Sequence, residues 1–224
     1  MKRAPLYLGA VLVGLVVLAA LGSLVWTPYD PAAIVGPKLA APSFAHPVGT
    51  DHLGRDVISR LLVGARATVA VGVVAVALAA GGGVPLGLIA GMSDGRYAQG
   101  RRGAWLSEAL MRAVDVLYAF PALLLAILLA AAVGASTATA MVAIGVATIP
   151  AFARIARAAT LTVMTQDFVL AARASGTSVG ATAVRHVLPN IAPVLGVQAS
   201  VSFGIAILAE AGLSYLGLAT PPPT

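Results

Sequence analysis

Five long apolar runs dominate the chain and leave little room for any fold but one. They occupy residues 6–26, 67–92, 113–133, 138–162 and 191–218. A helix needs about 20 apolar residues to cross the hydrocarbon core of a bilayer, and each run has that length. In hydrocarbon every backbone amide must find its partner within the protein, which restricts spanning segments to helices or closed barrels. Runs this long and continuous are helical, so the expected fold is all-α, a polytopic bundle of transmembrane helices forming one domain over residues 1–224.

Composition enters as a check on that reading. Only 10% of residues are charged and 59% are hydrophobic, with a mean hydropathy of +0.96. Soluble domains carry roughly 25% charged residues, so water-soluble enzyme classes fall away. A net charge of +6 in a soluble protein would point to nucleic acid; here it points to Arg-rich loops facing anionic lipid. The chain has no Cys, which removes disulfides, thiolate chemistry and Cys-held metal. No HExxH and no Gly-rich loop ending in Lys-Ser or Lys-Thr is present. Gly81, Gly82 and Gly83 sit among apolar residues with no adjacent Lys, which makes them packing positions. The chain is therefore expected to bind no cofactor and to catalyse nothing.

Lys2 and Arg3 precede the first run, which is longer than the 7–15 residues of a signal-peptide core and reads as a retained anchor. Trp26 and Tyr29 suit an interfacial belt. Residues 27–66 form a polar interlude whose prolines keep its first half extended. His46, Asp51, His52 and Asp56 match no helical metal-ligand spacing, and the two histidines read as solvated loop residues. Residues 56–65 read as a separate amphipathic helix, with Val57, Leu61 and Leu62 on one side and Asp56, Ser59 and Arg60 toward water. In the second run Gly83, Gly87 and Gly91 recur every four residues, a face for close helix packing, and Pro85 predicts a kink. Ser93, Asp94, Gly95 and Arg96 form a turn, followed by Arg101, Arg102 and Arg112; Arg112 is spaced to pair with Asp115. The third run is read as one span with Pro121 near its start. The fourth continues through Pro150 and exits at Arg154 and Arg157. Glu210, inside the fifth, is an ionisable group in a span and so a functional candidate.

Residues 163–190 form a polar-bearing loop between the last two spans. Thr165 is placed to cap a short helix, with Asp167 in its first turn and Ala171, Ala172 and Ala174 as helix formers. Gly176 supplies a stop. Ser178 then caps a second helix that is expected to end before Pro189. A surface hairpin without a partner is one reading of this; a docking element is the other.

This loop resembles the "EAA loop" of bacterial ABC importer permeases: Glu-Ala-Ala, three residues, Gly, nine residues, an apolar residue, one residue, Leu-Pro. Ala171, Ala172, Gly176, Leu188 and Pro189 fall on that spacing. Leu170 stands where Glu is usual, and His186 stands at the apolar position. The stretch 46–66, HPVGTDHLGRDVISRLLVGAR, resembles the segment after the first span in "C"-type permeases of dipeptide and oligopeptide importers, with Gly49, Thr50, Asp51, Gly54, Arg55 and Asp56 as its motif. The resemblance implies a permease subunit of a peptide importer in the bacterial inner membrane. It implies a second permease subunit, two ATPase subunits that hold ATP and Mg, and an extracytoplasmic substrate-binding protein. It also implies that 167–175 docks on an ATPase subunit, and it implies six spans; five are counted here, so the chain looks C-terminally incomplete. The related nickel importer permeases are an alternative, as is an orphan membrane scaffold or intramembrane enzyme.

Lys and Arg set the orientation. With the N-terminus inside, ten of the 14 basic residues lie in inner segments and four in outer ones, which favours a cytoplasmic N-terminus. The 27–66 segment is then extracytoplasmic and the Gly176 loop cytoplasmic. A single cysteine introduced at Ser178 is expected to react with a membrane-impermeant maleimide only after the membrane is opened; labelling in intact cells would reverse the topology.

Overall fold

The computed structural model describes residues 4–94 and 101–217. Lys2, Arg3, the Gly95–Arg96 part of the expected turn and everything after Gly217 lie outside the described residues. The helices are α1 (Ala4–Gly22), α2 (Val57–Met92), α3 (Arg101–Tyr118), α4 (Ala122–Val133), α5 (Thr137–Met164), α6 (Asp167–Ala174), α7 (Val179–Thr182) and α8 (Leu188–Tyr215). A π-helical turn, Ala183–Val187, joins α7 to α8. Among the described residues the one β-type pairing is an antiparallel bridge between Thr50 and Asp56. The described residues divide into two units, 4–71 and the rest from 72 onward.

Among the described residues, three helical stretches are long and apolar enough to cross a membrane: Val57–Met92, Thr137–Met164 and Val179–Tyr215. The helices α3 and α4 provide a fourth crossing if a pair bent by 81° counts as one. The stretch read from the sequence as a third span is thus divided between two helices, and the break falls at Phe120 and Pro121, where proline removes a helical amide. α1 is a shorter apolar helix; most of its described side chains are exposed, and Ala20 near its end is buried. The separate amphipathic helix expected at 56–65 is instead the start of α2, which runs unbroken through Gly64 into the apolar run. α2 also runs on through Pro85.

The second unit is organised around α5. Ser136 opens it, its hydroxyl accepting the Thr139 amide at 3.1 Å, and Ala140, Ala143, Phe152, Ala153 and Ala156 are buried along its length. The glycine face of α2 packs on it. A Cβ at Gly83 would lie 2.6 Å from the Phe152 Cβ, and one at Gly91 2.7 Å from the Thr160 Cβ. At Gly87 it would collide with the Ala153 carbonyl. Gly145 of α5 returns the pattern, facing Ala75 and Leu78. Two ion pairs also reach α5: Arg154 bonds Asp115 at 2.6 Å and lies over the Tyr118 ring, and Arg157 bonds Asp94 at 3.0 Å. Asp115 is thus engaged across helices, and Arg112 pairs one turn back with Glu108 at 2.7 Å rather than with Asp115.

The glycine face generates a matched pair of outcomes. Gly87→Leu forces a side chain into the α5 backbone and should destabilise the fold by about 1–3 kcal/mol, the usual cost of overpacking. Gly81→Leu, on the same helix with no atom within 4 Å of its Cβ position, should change little. Thermal unfolding of both variants in the same detergent measures the difference; equal effects would mean that the face is not a packing face.

Candidate functional site

The loop between α5 and α8 is held by one buried side chain. Val169 of α6 is fully buried against Met164, Val187 and Ile191, with Leu88, Met92 and Val163 around them. On either side of it Phe168 and Leu170 are 44% and 47% exposed. Successive helical residues point about 100° apart, so anchoring Val169 inward turns its two neighbours outward. Leu170, at the position where the loop pattern carries Glu, therefore faces away from the core. Asp167 and Ala171 are exposed and Ala172 is half-buried.

The ends of α6 differ from expectation at one side and agree at the other. Thr165 does not cap α6; it closes α5, its hydroxyl donating to the Thr162 carbonyl at 2.7 Å. The residue preceding α6 is Gln166, extended at φ −77° and ψ 143°, with no side-chain cap bond. At the C-terminus Gly176 has φ +82°. Its amide donates to Arg173 O at 3.0 Å and the Thr177 amide to Ala172 O at 3.1 Å, the two bonds of a Schellman stop. A Cβ at Gly176 would meet open space, so the requirement for glycine is conformational and not steric crowding.

Ser178 caps α7 as expected, accepting the Ala181 amide at 3.3 Å. The helix does not end before Pro189. It widens into the π turn, where the Leu188 amide reaches back five residues to Ala183 O, and continues as α8 with Pro189 in its first turn. The wide turn removes the regular amide pattern where proline has no amide to give. His186, in that turn, lies 6.4 Å from the Phe168 ring, centroid to centroid. Leu188 is half-buried beside the Val169 cluster. Glu210, the intramembrane candidate, lies half-buried far along α8, outside this cluster.

The second candidate, residues 49–56, forms a tightly bonded loop in the first unit. Gly49 and Gly54 both have φ +85°, and a Cβ at either would strike a carbonyl, of Ala40 and Gly36 respectively. The Thr50 hydroxyl donates to Pro37 O and accepts the Ala40 amide at 2.9 Å. The Asp51 carboxylate accepts the Leu53 and Arg55 amides at 2.7 and 3.0 Å and bonds the guanidiniums of Arg55 and Arg60. Burial alone would push the Asp51 carboxyl up; the Arg55 and Leu53 amides and the two guanidiniums outweigh it and hold the group well below the usual carboxylate range. Asp56 and Ser59 are not toward water: both are fully buried. Asp56 caps α2 through the Ser59 amide and hydroxyl, each at 2.8 Å, and bonds His46 Nδ1 at 3.0 Å. Burial raises its carboxyl too, and the Ser59 amide and His46 bring it down further than burial lifts it. His46 is thus a buried partner of Asp56, its ring tilted 38° to that of Tyr29 at 4.9 Å between centroids, whereas His52 is exposed. The Tyr29 amide completes the set by donating to Ser59 Oγ at 3.0 Å.

The described residues thus form long apolar helices with a short, anchored and exposed helix between α5 and α8, and the comparisons give this arrangement its family. Residues 83–224 match the family described as the binding-protein-dependent transport system inner membrane component. The chain belongs to that family. It is 39% identical over 187 residues to the dipeptide transport system permease protein of Alkalihalophilus pseudofirmus, covering 83% of this chain and 58% of that one. It is 39% identical over 182 residues to the glutathione transport system permease protein of Pectobacterium atrosepticum, covering 81% of this chain and 58% of that one. A Brucella suis biovar 1 relative named for peptide transport is 40% identical over 224 residues, all of this chain and 72% of that one. The chain thus spans less than two thirds of the length of the dipeptide and glutathione relatives.

The depressed carboxyls give the 49–56 loop a pH dependence. An Asp whose folded pKa lies below its unfolded value, about 3.9, stabilises the fold fully above that value and loses the contribution as pH falls toward the folded one. A nitroxide on a cysteine at Ala41, in the segment bonded to Thr50, should stay immobile from about pH 7 to about pH 5 and gain mobility only below about pH 4. In Asp51→Asn it should already be mobile at neutral pH. A mobility transition in the histidine range instead would count against carboxylate control.

Proposed function

We propose that the chain is the membrane-spanning permease subunit of an ATP-driven importer of short peptides. The relatives named for dipeptide, glutathione and peptide transport support this, glutathione being itself a tripeptide. In this reading the chain crosses the bacterial cytoplasmic membrane five times, through α1, α2, the broken α3–α4 pair, α5 and α8, with its N-terminus inside. Residues 27–66 face the substrate-binding protein outside. A second permease completes the pathway, and two ATPase subunits bind ATP and Mg and carry out the hydrolysis that this chain does not.

The observation that carries the proposal is α6. It is short, stopped by Gly176, fixed to the α5–α8 core through Val169, and it presents Phe168 and Leu170 outward. A docking helix must be rigid toward its own subunit and exposed toward the other, and α6 has both properties. With Leu170 outward, its contact to the ATPase is apolar where the usual Glu would make it acidic.

Gly176→Val tests this. A β-branched residue at positive φ is strongly disfavoured, and strain of this kind costs about 1–3 kcal/mol, so the Schellman stop should be lost. The variant should insert normally, yet binding protein plus peptide should no longer stimulate hydrolysis in reconstituted vesicles. Gly176→Asn, which tolerates this φ, should restore most of the stimulation. Normal stimulation and uptake by the valine variant would make the hairpin a mere connector.

A further inference from the structure

The first turns of α2 leave an open cleft against α1. It encloses about 580 Å³, with Leu61, Gly64 and Thr68 on α2, Val16 on α1, and Asp51 and Arg60 at its polar end. The walls are apolar. Gly64 makes the room: no atom lies within 4 Å of where its Cβ would be. The polar end carries a net positive charge, because the single Asp51 carboxylate is shared by two guanidiniums, Arg55 and Arg60. Arg55 is buried in the loop, while the Arg60 side chain keeps 30% of its surface exposed.

The depth of the cleft is set by the sequence of α2. The polar loop ends at Asp56, the last charge on the helix is Arg66, and from Ala67 to Met92 there is none. Residues 57–68 are therefore where the helix passes from water to hydrocarbon. From Arg60 to Thr68 the helix rises about 12 Å, which sets a cation at headgroup level and an apolar slot at acyl level along one helix face. A soluble anion would use the excess positive charge and leave the slot empty; a neutral lipid would use the slot and leave the second guanidinium on Asp51 unbalanced. We infer that the cleft is a binding site for one anionic phospholipid, its phosphate on Arg60 and the upper part of one acyl chain along Leu61, Gly64 and Thr68 against Val16. Arg55 stays on Asp51 when the phosphate takes Arg60, so the loop keeps its carboxylate pair while the lipid is bound.

The test reconstitutes the whole chain in phosphatidylcholine vesicles containing a small fraction of photoactivatable phosphatidylglycerol. Cross-linked peptides are then mapped by mass spectrometry, with unlabelled phosphatidylglycerol or phosphatidylcholine as competitor. Label should fall on α1 near Val16 and on α2 at residues 57–68, and phosphatidylglycerol should displace it several-fold better than phosphatidylcholine. Arg60→Gln should reduce that preference about fivefold, the usual worth of one basic side chain at an anionic surface. Gly64→Leu, whose Cβ would meet no atom within 4 Å, fills the slot and should remove the label there while label elsewhere persists, which also reports that the variant is folded. Label spread evenly over all exposed helices, equal competition by the two lipids, or undiminished labelling in Gly64→Leu would each overturn the inference. So would cross-linking of a cysteine at Val16 to a second copy of the chain, which would show a protein helix in the slot.

Discussion

Helices in hydrocarbon gain nothing from hiding apolar side chains from a solvent that is itself apolar, so close approach of backbones must hold them together. In the second unit that approach is the contact of Gly83, Gly87 and Gly91 with α5. Everything near the loop that carries α6 depends on it. α5 delivers Met164 to the cluster that seats Val169, and α2 delivers Leu88 and Met92 to the same cluster. The glycine face thus sets where α6 stands, although no glycine of that face touches it.

The first unit solves a different problem, that of ordering a proline-rich polar segment with little apolar surface. It does so by satisfying two carboxylates almost completely. Asp51 gathers two amides and two guanidiniums, and Asp56 gathers an amide, a hydroxyl and an imidazole. Removing either acceptor would strand buried donors, which costs more than the bonds themselves contribute. The residues of the 49–56 motif are thereby accounted for as architecture, and a role toward another subunit would be exercised by the shape they hold.

Much of this was legible in the residues. The glycine spacing, the stop at Gly176 and the Ser178 cap are local signals, and each is realised. What was not legible depends on tertiary contact. Thr165 is a capping residue by type, yet Gln166 precedes α6, because α5 runs on through the buried Met164 and takes Thr165 as its own end. Asp56 and Ser59 look solvent-facing on a helical wheel because the wheel cannot show His46 and Tyr29 folding back over them. Asp115 is spaced for Arg112 yet goes to Arg154, thirty-nine residues away. Val169, the anchor of α6, carries no mark in the sequence beyond being an apolar residue among apolar residues.

The π turn between α7 and α8 gives chain length here an angular meaning. Each residue of an α-helix advances the chain by about 100° around its axis, and a π turn accommodates one more residue than an α turn would. The segment between Gly176 and Pro189 therefore sets the azimuth at which α6 leaves α8. Deleting one residue from Ala183–Val187 could leave an unbroken α-helix with every amide paired, and still swing the platform bearing Phe168 and Leu170 by about a quarter turn. Along this stretch a length change is a rotation, so an insertion or deletion that looks harmless to the helix would aim its outward face in another direction.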